Sequence, residues 1–322
     1  MYIGVGLSAL LVSTIRAMRR PFYRGTSDRL APRFCVYMTM KNNFSVRQPQ
    51  NVSIRRPMIN SVSLPQWLDD YIFNQLKANY CPSNSDMTVI DWNKSNVLNY
   101  LGTYFPRSYA ESYCIFRNFF IKDLLSWIFR DKISVFDFGC GTGGEIIGLL
   151  MAIGELSPNL KLVEITVLDG NHAALRIFED VIKKYLTHTE ICITYKVIPE
   201  VIEDFYDLNI LDTVITQKFD IIMSFKAICE FVTKERFEQQ NAYEHIAKTF
   251  LPKLKDSGIM VLADVTTYND VSQEWLPIMM DKGLTDANCN VVMQNEGYNQ
   301  AFTVSHSKRE KDVSKVAWRI IK

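Results

Sequence analysis

The sequence lacks closely spaced cysteines. Its seven cysteines are at least 26 residues apart, so no CxxC pair exists. Local zinc and iron–sulfur centres draw on such pairs, and we therefore expect no metal site. An odd number of cysteines without a secretory signal is typical of a reducing compartment, where thiols serve as small core side chains.

Long apolar runs are also absent. The longest, residues 2–12, falls short of the roughly 20 residues that a membrane-spanning helix needs. Six arginines follow this run between positions 16 and 33, whereas a secretory signal carries its charge before the apolar stretch. Two interpretations remain: an organellar transit peptide, or sequence upstream of a start at Met38 or Met40. We expect a cytoplasmic protein without membrane association, or a mitochondrial matrix protein if the segment is a transit peptide.

Charge of one sign is not in excess overall, because the net charge is +1. Residues 1–68 nevertheless hold ten basic residues and one acid, while residues 69–322 hold 26 basic and 34 acidic residues. The body is thus mildly acidic, unlike a strongly basic nucleic-acid-binding domain. With 322 residues, 48% of them hydrophobic, the chain can build the core of about two domains, which excludes intrinsic disorder.

The first patterned region is helical. Ser63 before Leu64 and Pro65 predicts a helix N-cap with proline in the first turn, and apolar residues then keep helical spacing to Leu76. A second helical region runs from about Ser95, with a break expected near Pro106, and ends near residue 128. We therefore predict a basic extension over residues 1–56 and a helical cap, dense in Tyr and Phe, over residues 57–130.

From residue 133 the pattern changes to alternating strands and helices, which predicts a mainly parallel, doubly wound α/β sheet covered on both faces. The last strand-like segments differ, because no helix separates AFTVSH from KVAWRII. These two segments are expected to pair as an antiparallel hairpin that closes the sheet. The predicted cofactor-binding domain comprises residues 131–322.

The informative motif is the segment DFGCGTGG, residues 137–144, directly after the first strand of this domain. Its glycines satisfy both GxGxxG and GxGxG, and they allow a tight turn and a close approach of backbone to a ligand at a helix N-terminus. GxGxxG alone is weak evidence, and a nicotinamide-dependent oxidoreductase has to be considered.

Three features argue against a dinucleotide. Asp137 precedes the first glycine, where it would repel a diphosphate and attract an ammonium group. Asp169 ends the next strand, where a carboxylate can accept hydrogen bonds from two ribose hydroxyls. The terminal hairpin replaces a second mononucleotide-binding half. In these residues the sequence, over about residues 100–322, resembles the class I S-adenosylmethionine-dependent methyltransferases.

The resemblance implies a Rossmann-like, seven-stranded methyltransferase fold with S-adenosylmethionine as cofactor. It implies that the loop glycines approach the methionine part, that Asp137 supports the amino group and that Asp169 binds the ribose. For Asp169, capping the following helix is the competing interpretation. The implied cofactor-binding set is Asp137, Gly139, Cys140, Gly141, Gly143, Asp169, Gly170, Glu203, Asp204, Ser224 and Phe225.

Several of these assignments keep an alternative. Glu203 and Asp204 follow the third strand, where the family places a residue near the adenine amino group, but they could be solvated loop acids. Phe225 could pack on the adenine or belong to the core. The segment SFKA, residues 224–227, occupies the position of the acceptor-side motif and lacks the proline of amino-methyltransferases that act on nucleic-acid bases.

No catalytic residue is assigned from the sequence. Of the four histidines, only His306 in the terminal hairpin could reach an acceptor, and we expect it at a solvated loop tip. Methyl transfer from a sulfonium needs mainly alignment and desolvation, so a missing general base does not argue against it.

A narrower resemblance concerns residues 100–110, where Tyr100-Leu101 is followed by FPRSYA. This segment is similar to one in methyltransferase-like proteins associated with the small ribosomal subunit of mitochondria and bacteria. It implies an alternative function, a non-catalytic S-adenosylmethionine-binding factor in ribosome assembly, with RNA as a partner. The main hypothesis is a methyltransferase whose cap positions the acceptor, which the sequence does not resolve among small molecule, protein and RNA.

Overall fold

The computed structural model describes residues 58–82, 94–202, 205–207, 210–231, 241–270 and 272–322. The N-terminal part is mostly helical. Strand β1 (Ser61–Ser63) precedes helix α1 (Gln66–Asp70), which continues as a π-helical segment (Tyr71–Gln75). Helix α2 (Lys94–Lys122) and helix α3 (Leu124–Trp127) follow. None of the described helices is both long and apolar enough to cross a membrane.

Strands and helices then alternate through most of the remaining chain. In chain order they are β2 (Lys132–Phe138), α4 (Gly144–Leu156), β3 (Leu162–Leu168), α5 (His172–Tyr185), β4 (Cys192–Ile198), α6 (Ile210–Val214), β5 (Phe219–Phe225), α7 (Ala242–Phe250) and β6 (Leu254–Asp264). A two-stranded ribbon, β7 (Tyr268–Asn269) and β8 (Glu274–Trp275), precedes α8 (Leu276–Asp286). The last strands are β9 (Val291–Gln294), β10 (Gln300–His306) and β11 (Arg309–Ile321).

The main sheet has the order β1-β10-β11-β6-β5-β2-β3-β4, with β9 also paired to β11. Strands β4, β3, β2, β5 and β6 are parallel, whereas β11 is antiparallel to both β6 and β10. The predicted mainly parallel sheet with an antiparallel terminal hairpin is therefore confirmed. Within the described residues, the short strands β1 and β9 extend the seven expected strands to nine.

The terminal hairpin extends past the carboxyl end of the parallel strands. Residues 317–321 of β11 pair with β6, and Ala317 lies opposite Asp264, the last residue of β6. The preceding part of β11, residues 309–316, pairs instead with β10. The carboxyl edge of such a sheet is where ligands bind, so the hairpin forms one wall beside that edge.

Two hydrophobic clusters cover the two faces of the sheet. One contains Ile133 and Val135 of β2 together with residues of α2, α4 and α5. The other contains Phe136 and Phe138 together with residues of α7 and α8. Alternate residues of a strand point to opposite faces, so Asp137 points to the same face as Val135, toward α2 and α4.

Helices α2 and α4 pack unusually closely, because α4 has glycines where they meet. An added Cβ at Gly144 would lie 2.5 Å from the carbonyl oxygen of Phe105, and one at Gly148 would lie 2.5 Å from that of Tyr109. Ser112 on α2 also donates a hydrogen bond of 2.6 Å to the carbonyl oxygen of Glu145. The prediction of a break near Pro106 was wrong, because α2 continues through it. Packing along α4 outweighs the cost of about 3 kcal/mol that proline imposes inside a helix.

The prediction that Ser63 caps a helix was also wrong. Ser63 ends strand β1, which pairs in parallel with residues 303–305 of β10. The amide of Leu64 donates to the carbonyl oxygen of Ser305 at 2.9 Å, and the helix begins only at Gln66, after Pro65. A strand partner far along the chain thus overrides the local capping signal.

Candidate functional site

The glycine-rich segment forms the turn between β2 and α4. Gly139, Gly141 and Gly143 have φ angles of 76°, 49° and 80°, a left-handed conformation that glycine adopts without strain. Protein atoms occupy the space where side chains would stand: Ala227 beside Gly139, the Tyr100 ring beside Gly141 and the Phe178 ring beside Gly143. Glycine is therefore required at these positions both by conformation and by packing.

The backbone amides of this turn are largely used inside the protein. Those of Gly139 and Cys140 donate to the carbonyl oxygen of Leu168, at 2.8 and 3.3 Å, and that of Gly143 donates to the carbonyl oxygen of Cys140 at 2.8 Å. A turn that cradles a diphosphate presents such amides to the ligand instead. The hydrogen bonding here gives a rigid turn with fewer donors for an anion.

Asp169 holds this turn from the neighbouring strand. Its Oδ2 accepts from the amide of Gly141 and its Oδ1 from the amide of Asn171, both at 2.7 Å. The helix-cap interpretation of Asp169 was wrong, because Asn171 is the N-cap of α5: its side chain accepts from the amides of Ala173 and Ala174, each at 3.0 Å. The amide side chain of Asn171 does the capping, which leaves Asp169 at the carboxyl edge of β3.

Asp137 and Glu145 form a buried pair of acids behind the turn. Asp137 is the penultimate residue of β2 and has no exposed surface, and Glu145 lies in the first turn of α4 with 4% exposed. Burial, with the neighbouring Glu145 carboxyl adding to it, raises the pKa of Asp137 well above its usual range. Burial also raises the pKa of Glu145, to about 8. Two adjacent negative charges are therefore disfavoured here in the ligand-free protein.

Two residues that the sequence analysis did not assign reach the same place. Lys226, directly after β5, has a φ of 56° and donates from Nζ to Oε2 of Glu111 on α2 at 2.7 Å. Glu111 is completely buried. The positive charge of Lys226 lowers the pKa of Glu145 and the negative charge of Glu111 raises it, so both are within electrostatic range of the pair of acids.

Tyr100 on α2 covers the turn. Its hydroxyl oxygen lies 3.1 Å from the position that a Cβ on Gly141 would take, and its ring stacks on Tyr104 with centroids 4.9 Å apart. Burial raises the pKa of the Tyr100 hydroxyl well above its usual range, and the carboxyls of Glu145 and Asp169 raise it further. Tyr100 is therefore a neutral hydroxyl beside both carboxyls.

Several polar atoms of this site lack a partner. Both carboxylate oxygens of Asp137, Oε1 of Glu111 and the hydroxyl of Thr142 are buried without a hydrogen-bond partner among the described residues. Three of the four are carboxylate oxygens, which only accept hydrogen bonds when ionised. A buried acceptor without a donor is costly, so this arrangement favours a ligand that brings N–H donors and positive charge.

The remaining predicted residues divide into core and edge positions. Ser224 is buried and donates to the carbonyl oxygen of Phe138 at 3.0 Å, and Phe225, 4% exposed, lies in the hydrophobic core. Cys140 is buried in the turn, and Gly170 adjoins Val201. Glu203 and Asp204 lie outside the described residues. The structure thus brings together the acids and glycines of the motif and gives Phe225 a core position.

The structure assigns no histidine to this site. The prediction of a solvated His306 was wrong: its side chain is fully buried, because the hairpin packs on the N-terminal helical residues and the ring stacks on Phe73 with centroids 5.2 Å apart. The described residues also contain no group of three His, Cys, Asp or Glu side chains arranged to hold a metal ion.

No protein-family model and no curated relative matches the chain. Solved structures that resemble it include the DszA carbon methyltransferase, with 14% identity and a TM-score of 0.41 over 70% of this chain and 62% of that one. A SAM-dependent methyltransferase from Aquifex aeolicus has 14% identity and a TM-score of 0.36 over 62% and 88%. TrmN from Thermus thermophilus has 11% identity and a TM-score of 0.35 over 63% and 48%, so the matched region is about half of TrmN.

The strand order of the main sheet and its antiparallel terminal hairpin are those of the Rossmann-like methyltransferase fold, as the sequence predicted.

Proposed function

We propose that the chain is an S-adenosylmethionine-dependent methyltransferase. The observation that supports this most directly is the buried, unpartnered carboxylate of Asp137 behind the glycine turn. An ammonium group supplies the hydrogen-bond donors and the positive charge that this carboxylate lacks. The amino group of the cofactor's methionine part has this chemistry.

The ribose end of the cofactor fits Asp169. A carboxylate has about four lone-pair sites, and the amides of Gly141 and Asn171 use two of them. Two remain for the vicinal hydroxyls of a ribose. Because Asp169 also fixes the glycine turn, one residue would align the ribose end with the methionine end.

A nicotinamide dinucleotide fits this site less well. Asp137 near the end of β2 and Glu145 in the first turn of α4 are buried on either side of the glycine turn, where a diphosphate would have to lie. Most amides of the turn already have partners within the protein, so they would not compensate the repulsion between the acids and the phosphates. The same features are compatible with a cationic ligand.

When bound, S-adenosylmethionine supplies a methyl group on a sulfonium, and the protein's own task is positioning. Asp169 would hold the ribose, and Asp137 with Glu145 would hold the amino group and accept or release protons there. Tyr100, which lies against Gly141, would exclude water from the methionine side. Alignment and desolvation of this kind account for much of the rate in group transfer.

The acceptor is proposed to bind between the carboxyl edge of the sheet and the helical N-terminal part. Helix α2 carries Tyr100 and Glu111 to that edge, and the Arg107 guanidinium joins α2 to Asp312 of the terminal hairpin at 2.7 Å. We therefore propose that residues 57–130 act as a cap on a cofactor-binding domain of residues 131–322. The choice among small molecule, protein and RNA is left to acceptor screening.

A ligand-binding experiment tests the proposal. S-adenosylhomocysteine, the demethylated product, should raise the melting temperature of the purified chain, whereas NAD and NADP should not. At about 100 times its dissociation constant, a ligand adds about 2.7 kcal/mol to the free energy of unfolding. Stabilisation by NAD without stabilisation by S-adenosylhomocysteine would contradict the proposal. Transfer of a labelled methyl group to candidate acceptors would then identify the substrate.

A further inference from the structure

The ion pair between Lys226 and Glu111 has unused hydrogen-bonding capacity on both partners. The Lys226 ammonium has three N–H donors, and within the described part of the chain one of them has a partner, Oε2 of Glu111. The other carboxylate oxygen of Glu111 is buried without a donor. The pair therefore presents donors of positive charge and an acceptor of negative charge side by side.

The location of the pair links it to the glycine turn. Lys226 belongs to the turn that follows β5, and the next residue, Ala227, fills the space beside Gly139. Glu111 lies on α2 one residue before Ser112, which is hydrogen-bonded to the first turn of α4. The charges of both act on Glu145, the partner of Asp137. The pair thus adjoins the acids that are proposed to receive the cofactor's amino group.

The backbone at Lys226 is held in an uncommon conformation. A φ of 56° is unfavourable for a residue with a side chain, and such residues concentrate at ligand sites. The amide of Lys226 donates to the carbonyl oxygen of Ala263 at 2.7 Å, which fixes this conformation from the neighbouring strand. As a result, the lysine ammonium meets Glu111 on α2, and its side chain remains only 14% exposed.

We propose that Lys226 and Glu111 form the subsite for the α-amino-acid group of the ligand. Lys226 donates to its carboxylate, and Oε1 of Glu111 accepts from its ammonium together with Asp137. This inference rests on the proposed function and adds a specificity to it: the site distinguishes cofactor-like nucleosides that carry a complete amino acid from those that lack the carboxylate.

Three ligands of graded structure test this assignment by calorimetry. S-adenosylhomocysteine has both charged groups, S-adenosyl-3-thiopropylamine lacks only the carboxylate, and 5′-methylthioadenosine lacks both. The wild type should prefer the first to the second. Lys226→Met should lower the affinity for S-adenosylhomocysteine by about ten- to a hundredfold and leave the other two affinities unchanged, because only the first has the carboxylate.

Glu111→Gln should have a different signature. It should lower the affinities for S-adenosylhomocysteine and for the propylamine alike, since both ligands carry the ammonium, and leave the affinity for 5′-methylthioadenosine unchanged. The double variant Glu111→Gln, Lys226→Met removes both buried charges and serves where a single variant folds poorly. It should bind S-adenosylhomocysteine and the propylamine with similar affinity, because the carboxylate of the first has lost its donor while Asp137 still accepts from the ammonium of both.

Lys255→Met is the matched control. Lys255 forms an ion pair of the same length, 2.7 Å, with Asp220 on β5 at the opposite end of the strand. This variant should bind all three ligands as the wild type does.

The outcomes separate the two proposals. If the wild type binds none of the three ligands, the methyltransferase proposal fails and this one fails with it. If the wild type binds S-adenosylhomocysteine but Lys226→Met lowers the affinities for all three ligands equally, or for none of them, the pair has only a structural role and this inference is overturned.

Discussion

The carboxylate of Asp169 accepts a hydrogen bond of 2.7 Å from the amide of Gly141, which lies in the turn after the neighbouring strand. The second oxygen of the same carboxylate accepts from the amide of Asn171 at the start of α5. One side chain thus fixes the glycine turn and the entry to the next helix. Substitutions at Asp169 should consequently affect stability and ligand binding together.

Asp169→Ala should reduce the free energy of unfolding by about 1–3 kcal/mol, because two amides lose a charged acceptor. It should also lower the affinity for S-adenosylhomocysteine more than tenfold, as measured by calorimetry. Asn171→Ala is the control: losing the helix cap costs about 1 kcal/mol but leaves Asp169 in place. If Asn171→Ala lowers the affinity for the ligand as much as Asp169→Ala does, the loss of affinity comes from a change in α5 and Asp169 has no direct role in binding.

Gly141→Val should abolish binding of S-adenosylhomocysteine. A side chain there would collide with the Tyr100 ring, and the φ of 49° adds strain of about 1–3 kcal/mol for a branched residue. Circular dichroism and thermal melting should show a folded but less stable protein. Normal binding of the ligand by this variant would place the cofactor elsewhere.

Asp137→Asn separates charge from shape in the same site. The change removes the negative charge with little change in volume, so it should lower the affinity for S-adenosylhomocysteine. The melting temperature of the ligand-free variant should be no lower than that of the wild type. Keeping an unpaired carboxyl buried has a cost that asparagine avoids in part. If Asp137→Asn binds S-adenosylhomocysteine with unchanged affinity while Gly141→Val does not bind it, the turn is the ligand site but Asp137 does not contact the ammonium.

Two of the three glycines of α4 provide a matched pair. Gly148→Ala should destabilise the protein, because its Cβ would lie 2.5 Å from the carbonyl oxygen of Tyr109. Gly154→Ala meets only Ile191, at 3.6 Å, and should be neutral or stabilise by up to about 1 kcal/mol through helix propensity. Chemical denaturation of both variants measures the difference. Equal effects would mean that α2 can move away from α4 at little cost.

The buried acids predict a dependence of stability on pH. The pKa of Glu145 is about 8 in the folded protein, against about 4.5 when unfolded, so the folded state binds the proton more tightly. The ligand-free protein should therefore lose stability as pH rises between these two values, by at most about 1.4 kcal/mol per pH unit for one proton. Urea titrations across this range measure the slope.

Glu145→Gln should make that slope shallower. Glu155→Gln is the control, because it lies near the other end of α4 with 42% of its side chain exposed, and it should behave as the wild type. A slope that is the same in all three proteins would show that Glu145 does not titrate in this window.

The sequence predicts the alternation of strands and helices because each element shows its own period, and it predicts the glycine turn because few residues tolerate that conformation. It misplaces Ser63 and the supposed break at Pro106, since local signals at both are overridden by partners elsewhere: β10 for the first and α4 for the second. Distant pairing of this kind leaves no trace in a short window of sequence.

The candidate site shows the same limit. Asp137 and Asp169 are recognisable because they flank strand ends, whereas Glu111 and Lys226 meet only after α2 packs on α4. One signal for Glu111 was available: it is the only charged residue among residues 108–116, a stretch otherwise made of small, apolar and aromatic side chains. Its neighbours Tyr109, Ala110 and Ser112 are all buried in the structure. A charged residue amid buried positions of a helix indicates a buried partner.

The pairing of β1 with β10 has a consequence for synthesis of the chain. Tyr80 and Asp312, which are hydrogen-bonded across this junction, are 232 residues apart in sequence. While the ribosome is still making the parallel strands, the hairpin that packs against the N-terminal helices does not yet exist. The apolar surface that the hairpin covers therefore stays exposed until the last strands are synthesised. Release of the last strands is thus the event that completes the fold, and a chain truncated before β10 should remain open to chaperones and proteases.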